Sequence, residues 1–188
     1  MQLFSDPFTD LQLLPVTNAP GSNLSTVQNG NWHPKQLKSR LLTYQSTSAI
    51  EHATSFKIAN GVLTVTATPT GLFAEGDKVT LLYPADKPID LREIISIIIT
   101  DNQLPSIGFQ LVLEISDGKK VGTVPAIYNG SLIYFVLSTI DSYIDLHRVQ
   151  ALGFVLTKTD SLEHPMSAVL FGAIYSVGCQ CRCERKKE

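Results

Sequence analysis

The chain has 188 residues, 44% hydrophobic and 17% charged, and its 15 basic and 17 acidic side chains leave a net charge of -2. That is enough apolar material for one core of ordinary size, and so balanced a charge offers no global field for nucleic acid or an anionic membrane. No run approaches the roughly 18 consecutive apolar residues of a membrane span, and Met1-Gln2-Leu3-Phe4-Ser5-Asp6-Pro7 lacks the basic-then-apolar order of a cleavable signal peptide.

Residues 1–38 read as an irregular arm rich in Asn, Ser, Thr, Pro and Gly, with Leu3-Phe4 and Phe8 a candidate short first strand. A strand is predicted from Arg40 to Tyr44. Two more, at Ser55–Ala59 and Val62–Thr68, flank Asn60-Gly61, the favoured hairpin turn because both positions tolerate positive φ. Lys78–Tyr83 is the next strand, ended by Pro84. The most apolar run, from Ile89 to Thr100, reads as a strand buried on both faces. From Ile107 to Ile115 the pattern alternates, with Phe109, Leu111, Leu113 and Ile115 on one face and Gln110 and Glu114 on the other.

Ser116-Asp117-Gly118-Lys119 is a turn, and strands follow at Ser131–Leu137, Ile144–Thr157 and Ser167–Val177. The only helical candidate is a single turn around Ser138 to Ile144. About nine or ten short strands with almost no helix predict an all-β fold, an antiparallel two-sheet β-sandwich. A jelly roll ranks ahead of an immunoglobulin-like sandwich, for which no Cys…Trp…Cys pattern is present. The chain divides into the arm (1–38), the sandwich (39–177) and a Cys-rich basic tail (178–188).

One tripeptide occurs twice at a strand start. Ile89-Asp90-Leu91 and Ile144-Asp145-Leu146 are each followed by two polar residues and then an apolar strand. Each Asp suits a turn in which its carboxylate accepts backbone N–H groups two or three residues on. The pair then marks equivalent turns in two packed sheets. A sharper reading has Asp90 or Asp145 bind a metal, or Asp145 orient His147.

The order of these features resembles galactose-binding-like jelly rolls, a group that includes many carbohydrate-binding modules and bacterial surface modules. The resemblance is carried by Ile89-Asp90-Leu91 with its apolar strand, the alternating strand ending Ser116-Asp117-Gly118, the strand ending Leu137-Ser138, and Ile144-Asp145-Leu146 running into Ala151-Leu152-Gly153-Phe154. It spans roughly residues 55–177 and implies a jelly-roll fold and sugar binding. It also implies a structural calcium held by acidic residues of the first and last strands. Asp6 and Asp10 match the first part, while Ala168 to Val177 carries no acidic residue.

Catalytic signatures are absent: no Gly-x-Ser-x-Gly elbow, no Gly-rich phosphate loop and no His-Glu-x-x-His. The chain therefore reads as non-catalytic, with no cofactor required. A pyranose ring stacks on an aromatic face, and the loop aromatics Trp32, Phe73, Tyr83, Tyr128 and Tyr143 are the candidate glycan contacts. All three cysteines, Cys179, Cys181 and Cys183, lie in the tail at alternate positions. In an extended chain they share one side, which suits cross-linking to another chain, a soft metal, or no role at all. The reading that combines these features is a self-associating structural module of a surface assembly, on the cell or spore surface, with the cytoplasm left open. Its partners are copies of itself or other surface proteins. The alternative is a glycan-binding module.

Overall fold

A computed structural model describes residues 5–6, 23–28, 39–45, 53–59, 62–68, 75–100, 107–159 and 169–178. The first five strands are β1 (Ser5–Asp6), β2 (Asn23–Gln28), β3 (Ser39–Gln45), β4 (Ala53–Ala59) and β5 (Val62–Thr68). Next come β6 (Lys78–Ile89), β7 (Ile94–Ile99), β8 (Phe109–Ser116), β9 (Val121–Pro125), β10 (Ile127–Asn129) and β11 (Leu132–Val136). A single 3-10 turn, Leu137–Thr139, leads to β12 (Val149–Lys158), β13 (Val169–Phe171) and β14 (Ile174–Gly178).

These strands form a five-stranded sheet, β1-β14-β7-β11-β10, and a six-stranded sheet, β2-β3-β6-β12-β8-β9. A three-stranded sheet, β13-β5-β4, completes the set. Between β6 and β14 the chain repeatedly changes sheet, at β6–β7, β7–β8, β9–β10, β11–β12 and after β12. The resulting order, β6-β12-β8-β9 against β14-β7-β11, is that of a jelly roll. Every pairing is antiparallel. The fold is an antiparallel β-sandwich, as the alternation in the sequence predicts.

The core forms where the alternating apolar positions of the two large sheets meet. Val79, Leu81 and Tyr83 of β6, Leu152, Phe154 and Leu156 of β12, and Leu111, Leu113 and Ile115 of β8 come from one sheet. Ile97, Ile99, Ile133, Phe135 and Ile174 come from the other. Phe154 joins the layers, its ring packing edge-on to Tyr83 at 5.9 Å and to Phe135 at 5.4 Å between centroids. Such offset contacts add to the area each ring removes from water.

β9 and β10 occupy a stretch with no predicted strand, the strand predicted from Ile144 begins at Val149, and four further details differ from the sequence pattern. First, β2 lies within the stretch read as an irregular arm, and it pairs with β3 from Asn23↔Tyr44 to Gln28↔Ser39. Second, β6 does not end at Pro84. Pro84 cannot donate to the ladder, so the register breaks there, Pro84 facing Ala151 and Ile89 facing Val149. Third, the last predicted strand is two: β13 pairs with β5, and after Gly172 and Ala173 the chain enters the five-stranded sheet as β14. Fourth, β7 is buried on both faces from Ser96 to Ile99, yet Ile95 is exposed.

Candidate functional site

The two Ile-Asp-Leu turns serve strands of different sheets, and they meet. Leu91 N–H donates to the Leu146 carbonyl at 2.8 Å. Asp90 accepts the Arg92 backbone N–H at 3.1 Å and the Arg92 guanidinium at 2.5 Å from Nη2. His147 Nδ1 lies 2.9 Å from Asp90 Oδ2. The hydrogen bond from Arg92, followed by its backbone N–H, the His147 ring and the guanidinium charge, holds the Asp90 carboxyl well below the usual carboxylate range. Arg92 is in turn raised, chiefly by its bond to Asp90.

Asp145 plays the matching local part, its Oδ1 accepting the His147 backbone N–H at 3.0 Å. The reading in which Asp145 orients the His147 ring is corrected: the ring engages Asp90, from the other copy. Among the described residues no group of three or more His, Cys, Asp or Glu converges at either turn.

Beside this seam lies a polar notch of about 280 Å³, lined by Asp117, Gly118, Lys119, Asp145, Arg148 and Gln150. Asp117 ties its two segments together. Its carboxylate accepts the backbone N–H of Lys119 and Lys120, each at 2.8 Å, and of Asp145 at 3.2 Å. Those three donors keep the carboxyl below its ordinary range. Gly118 has φ +84°, and a Cβ there would come within 2.4 Å of Gln150 Oε1. The positive φ favours glycine in this turn, and the Gln150 side chain lies against it.

A second feature lies on the face of the five-stranded sheet that points away from the core. Ile97, Ile99, Ile133, Phe135 and Ile174 face inward, so their strand neighbours face outward. The register Tyr175↔Ile98↔Tyr134, continued by Tyr134↔Ile127, runs an aromatic and aliphatic row across β14, β7, β11 and β10. Tyr134 and Tyr175 are half-buried, and Ile98 between them is 6% exposed. The outward positions of β6, β12, β8 and β9 carry no aromatic residue.

Of the predicted glycan contacts, Tyr83 is corrected. It is 0% exposed and belongs to the core, because it keeps the alternation of Val79 and Leu81. Tyr143 is 85% exposed, before the second Ile-Asp-Leu turn, and Tyr128 is 37% exposed on the edge strand β10, partial burial raising its pKa. The structure does not bring these two onto the Tyr134–Tyr175 row. Asp6 stands opposite Ile174. Trp32, Phe73, Asp10, Cys179, Cys181 and Cys183 lie outside the described residues. Tyr134 and Tyr175 were open to prediction: each alternates with core positions, in Leu132-Ile133-Tyr134-Phe135-Val136 and in Ile174-Tyr175-Ser176.

No protein-family model matches this chain, and no curated protein does. Among solved structures, a low-affinity xylan binding module from the gut symbiont Roseburia intestinalis aligns with TM-score 0.42 and 12% identity, over 69% of this chain and 86% of that one. The family 11 carbohydrate-binding module of a cellulosomal cellulase of Clostridium thermocellum aligns with TM-score 0.43 and 9% identity, over 90% of this chain and 95% of that one. The family 11 module from that organism in complex with a β-1,3-1,4-mixed-linked tetrasaccharide aligns with TM-score 0.45 and 11% identity, over 86% and 98% respectively. By its own strand order the chain is a jelly-roll β-sandwich.

Proposed function

We propose that the protein is a non-catalytic glycan-binding module whose platform is the outer face of the five-stranded sheet. The observation that carries this reading is the register Tyr175↔Ile98↔Tyr134. Strands stand about 4.8 Å apart, so the two tyrosines, two strands apart, are separated by about 10 Å. That is the reach of a disaccharide, one ring over each tyrosine. Ile98 between them is buried, so the surface offered to a sugar's C–H face is that of the two half-buried phenol rings. The phenol hydroxyls then remain to hydrogen-bond the sugar's rim.

The xylan and the β-1,3-1,4-mixed-linked tetrasaccharide bound by similar solved modules are the ligands to try first. Calorimetric titration of the full chain is expected to show binding that Tyr134→Ala and Tyr175→Ala each weaken about tenfold, the loss of one stacked ring. Tyr143→Ala, away from the row, serves as the control. Equal binding by both platform variants and the parent, or binding to neither glycan nor to a wider glycan array, overturns the reading.

The alternating Cys179, Cys181 and Cys183 favour a second reading, a self-associating module of a surface assembly. Its test is reducing against non-reducing electrophoresis, and the absence of a thiol-sensitive multimer sinks it.

A further inference from the structure

The polar notch at the seam shares no residue with the tyrosine platform, and its chemistry is different. The Asp117 carboxylate is occupied by three backbone N–H groups. What remains to meet a ligand comes from two segments that the fold draws together. Lys119 lies in the β8–β9 turn, while Asp145 and Arg148 lie in the turn before β12 and Gln150 is the second residue of that strand. Among the described residues, no hydrogen bond occupies the side chains of Lys119, Arg148 or Gln150. Asp145 spends one oxygen on His147 N–H and keeps Oδ2 open.

The lining sets two cations, Lys119 and Arg148, against two carboxylates, Asp117 and Asp145. That balance selects. A phosphate dianion shares the notch with two carboxylates that repel it, and a neutral sugar leaves both cations without an anionic partner. A single carboxylate flanked by hydroxyls answers every group: the guanidinium fork matches a carboxylate in bidentate fashion, and hydroxyls both donate to Asp145 and exchange hydrogen bonds with the Gln150 amide. The notch of about 280 Å³ is the size of one ring rather than a chain, just under the usual range of ligand sites, which begins near about 300 Å³.

We propose that this notch binds one acidic sugar of the uronic-acid class, Arg148 and Lys119 holding the carboxylate while Asp145 and Gln150 hold the adjoining hydroxyls. The site stands or falls apart from the platform, since it uses neither Tyr134 nor Tyr175.

Two-dimensional amide NMR of the full chain, titrated with glucuronate, is the test. The amides of Gly118, Lys119 and Gln150 are expected to shift, with about tenfold weaker binding in Arg148→Gln and in Lys119→Gln, the loss of one charge-assisted bond. Tyr134→Ala is expected to give the parent curve. Adding salt is expected to weaken the binding, because an ion pair is screened. The assignment is overturned if glucose moves the same amides as strongly, or if inorganic phosphate or glycine binds there more tightly. It is equally overturned if glucuronate moves none of them in a sample whose spectrum is that of the folded protein.

Discussion

His147 and Asp90 are paired beside the point where β6 ends against the start of β12, Nδ1 to Oδ2 at 2.9 Å. Each belongs to one copy of the repeated tripeptide, and the copies are tied a second time through Leu91 and Leu146. The side chains are 58% and 42% exposed, so water competes for the contact and it contributes within about 1 kcal/mol. What matters more is the convergence on one carboxylate of a guanidinium, a backbone N–H and an imidazole.

Asp90 makes that corner sensitive to acid. Its proton is bound less readily in the folded chain than in the unfolded one. The stability it contributes is therefore complete above the unfolded pKa of about 4 and fades as pH falls toward the lower folded value. Asp117 and Asp141 are lowered as well, the latter by the Thr123 hydroxyl and backbone N–H, and they act in the same direction. Asp90→Asn is expected to be less stable than the parent at pH 7, with the gap closing below about pH 4. Denaturant midpoints measured across that range decide it, and a gap that does not change with pH refutes it.

Phe154 is the contact between the layers. Removing its ring leaves Tyr83 and Phe135 without their shared edge partner, inside a core that cannot close over the space. Phe154→Ala is expected to cost about 3–5 kcal/mol, read from urea unfolding. A loss below about 1 kcal/mol, the size of a surface change, contradicts this account of the core.

Gly122 lies under Ile140 and Ile144, and a Cβ on it would stand 2.8 Å from both side chains. Ile144 opens the second repeated turn, so crowding at Gly122 pushes on the seam. Gly122→Ala is expected to destabilise the chain by about 1–3 kcal/mol. Gly130→Ala, where the added Cβ meets nothing, bears only the strain of its φ of +60° and separates crowding from backbone effects. Equal stability of Gly122→Ala and the parent contradicts the crowding.

Ile127 sits at the outer end of the tyrosine row, on edge strand β10. Contacts at a rim stay hydrated and carry less binding energy than central ones. Ile127→Ala is therefore expected to weaken glycan binding about two- to threefold, against about tenfold for Tyr134→Ala. The reverse ranking in calorimetric titrations places the ligand elsewhere on the sheet.

Alternation made most of the sandwich legible. Phe109-Gln110-Leu111-Val112-Leu113-Glu114-Ile115 declares its inner face residue by residue, and the two Asp turns could be read from residue type alone. The same alternation identifies Tyr83 as inward-facing, which its position beside Pro84 obscured. What local pattern does not contain is which distant strand stands alongside. The approach of Tyr134 and Tyr175 depends on β7 lying between β14 and β11, residues far apart in the chain. The charged lining of the notch likewise depends on two turns meeting, although Asp117, Asp145 and Arg148 were each visible as polar turn residues. The break after Phe171 escaped notice because Gly172-Ala173 interrupts no hydrophobic pattern while it moves the chain to another sheet.

The position of β14 bears on the order of assembly. Ile174–Gly178 is the last described strand in the sequence, yet it lies inside its sheet, between β1 and β7. Until it arrives, the edge of β7 stands open, and that strand carries the most apolar run of the chain. During synthesis from the N-terminus, the layers can be seated only after residue 178 has emerged, so closure is a late, long-range event. A topology of this kind folds slowly, and the unpaired flank of Ile94–Ile99 is where a nascent or truncated chain would stick to another.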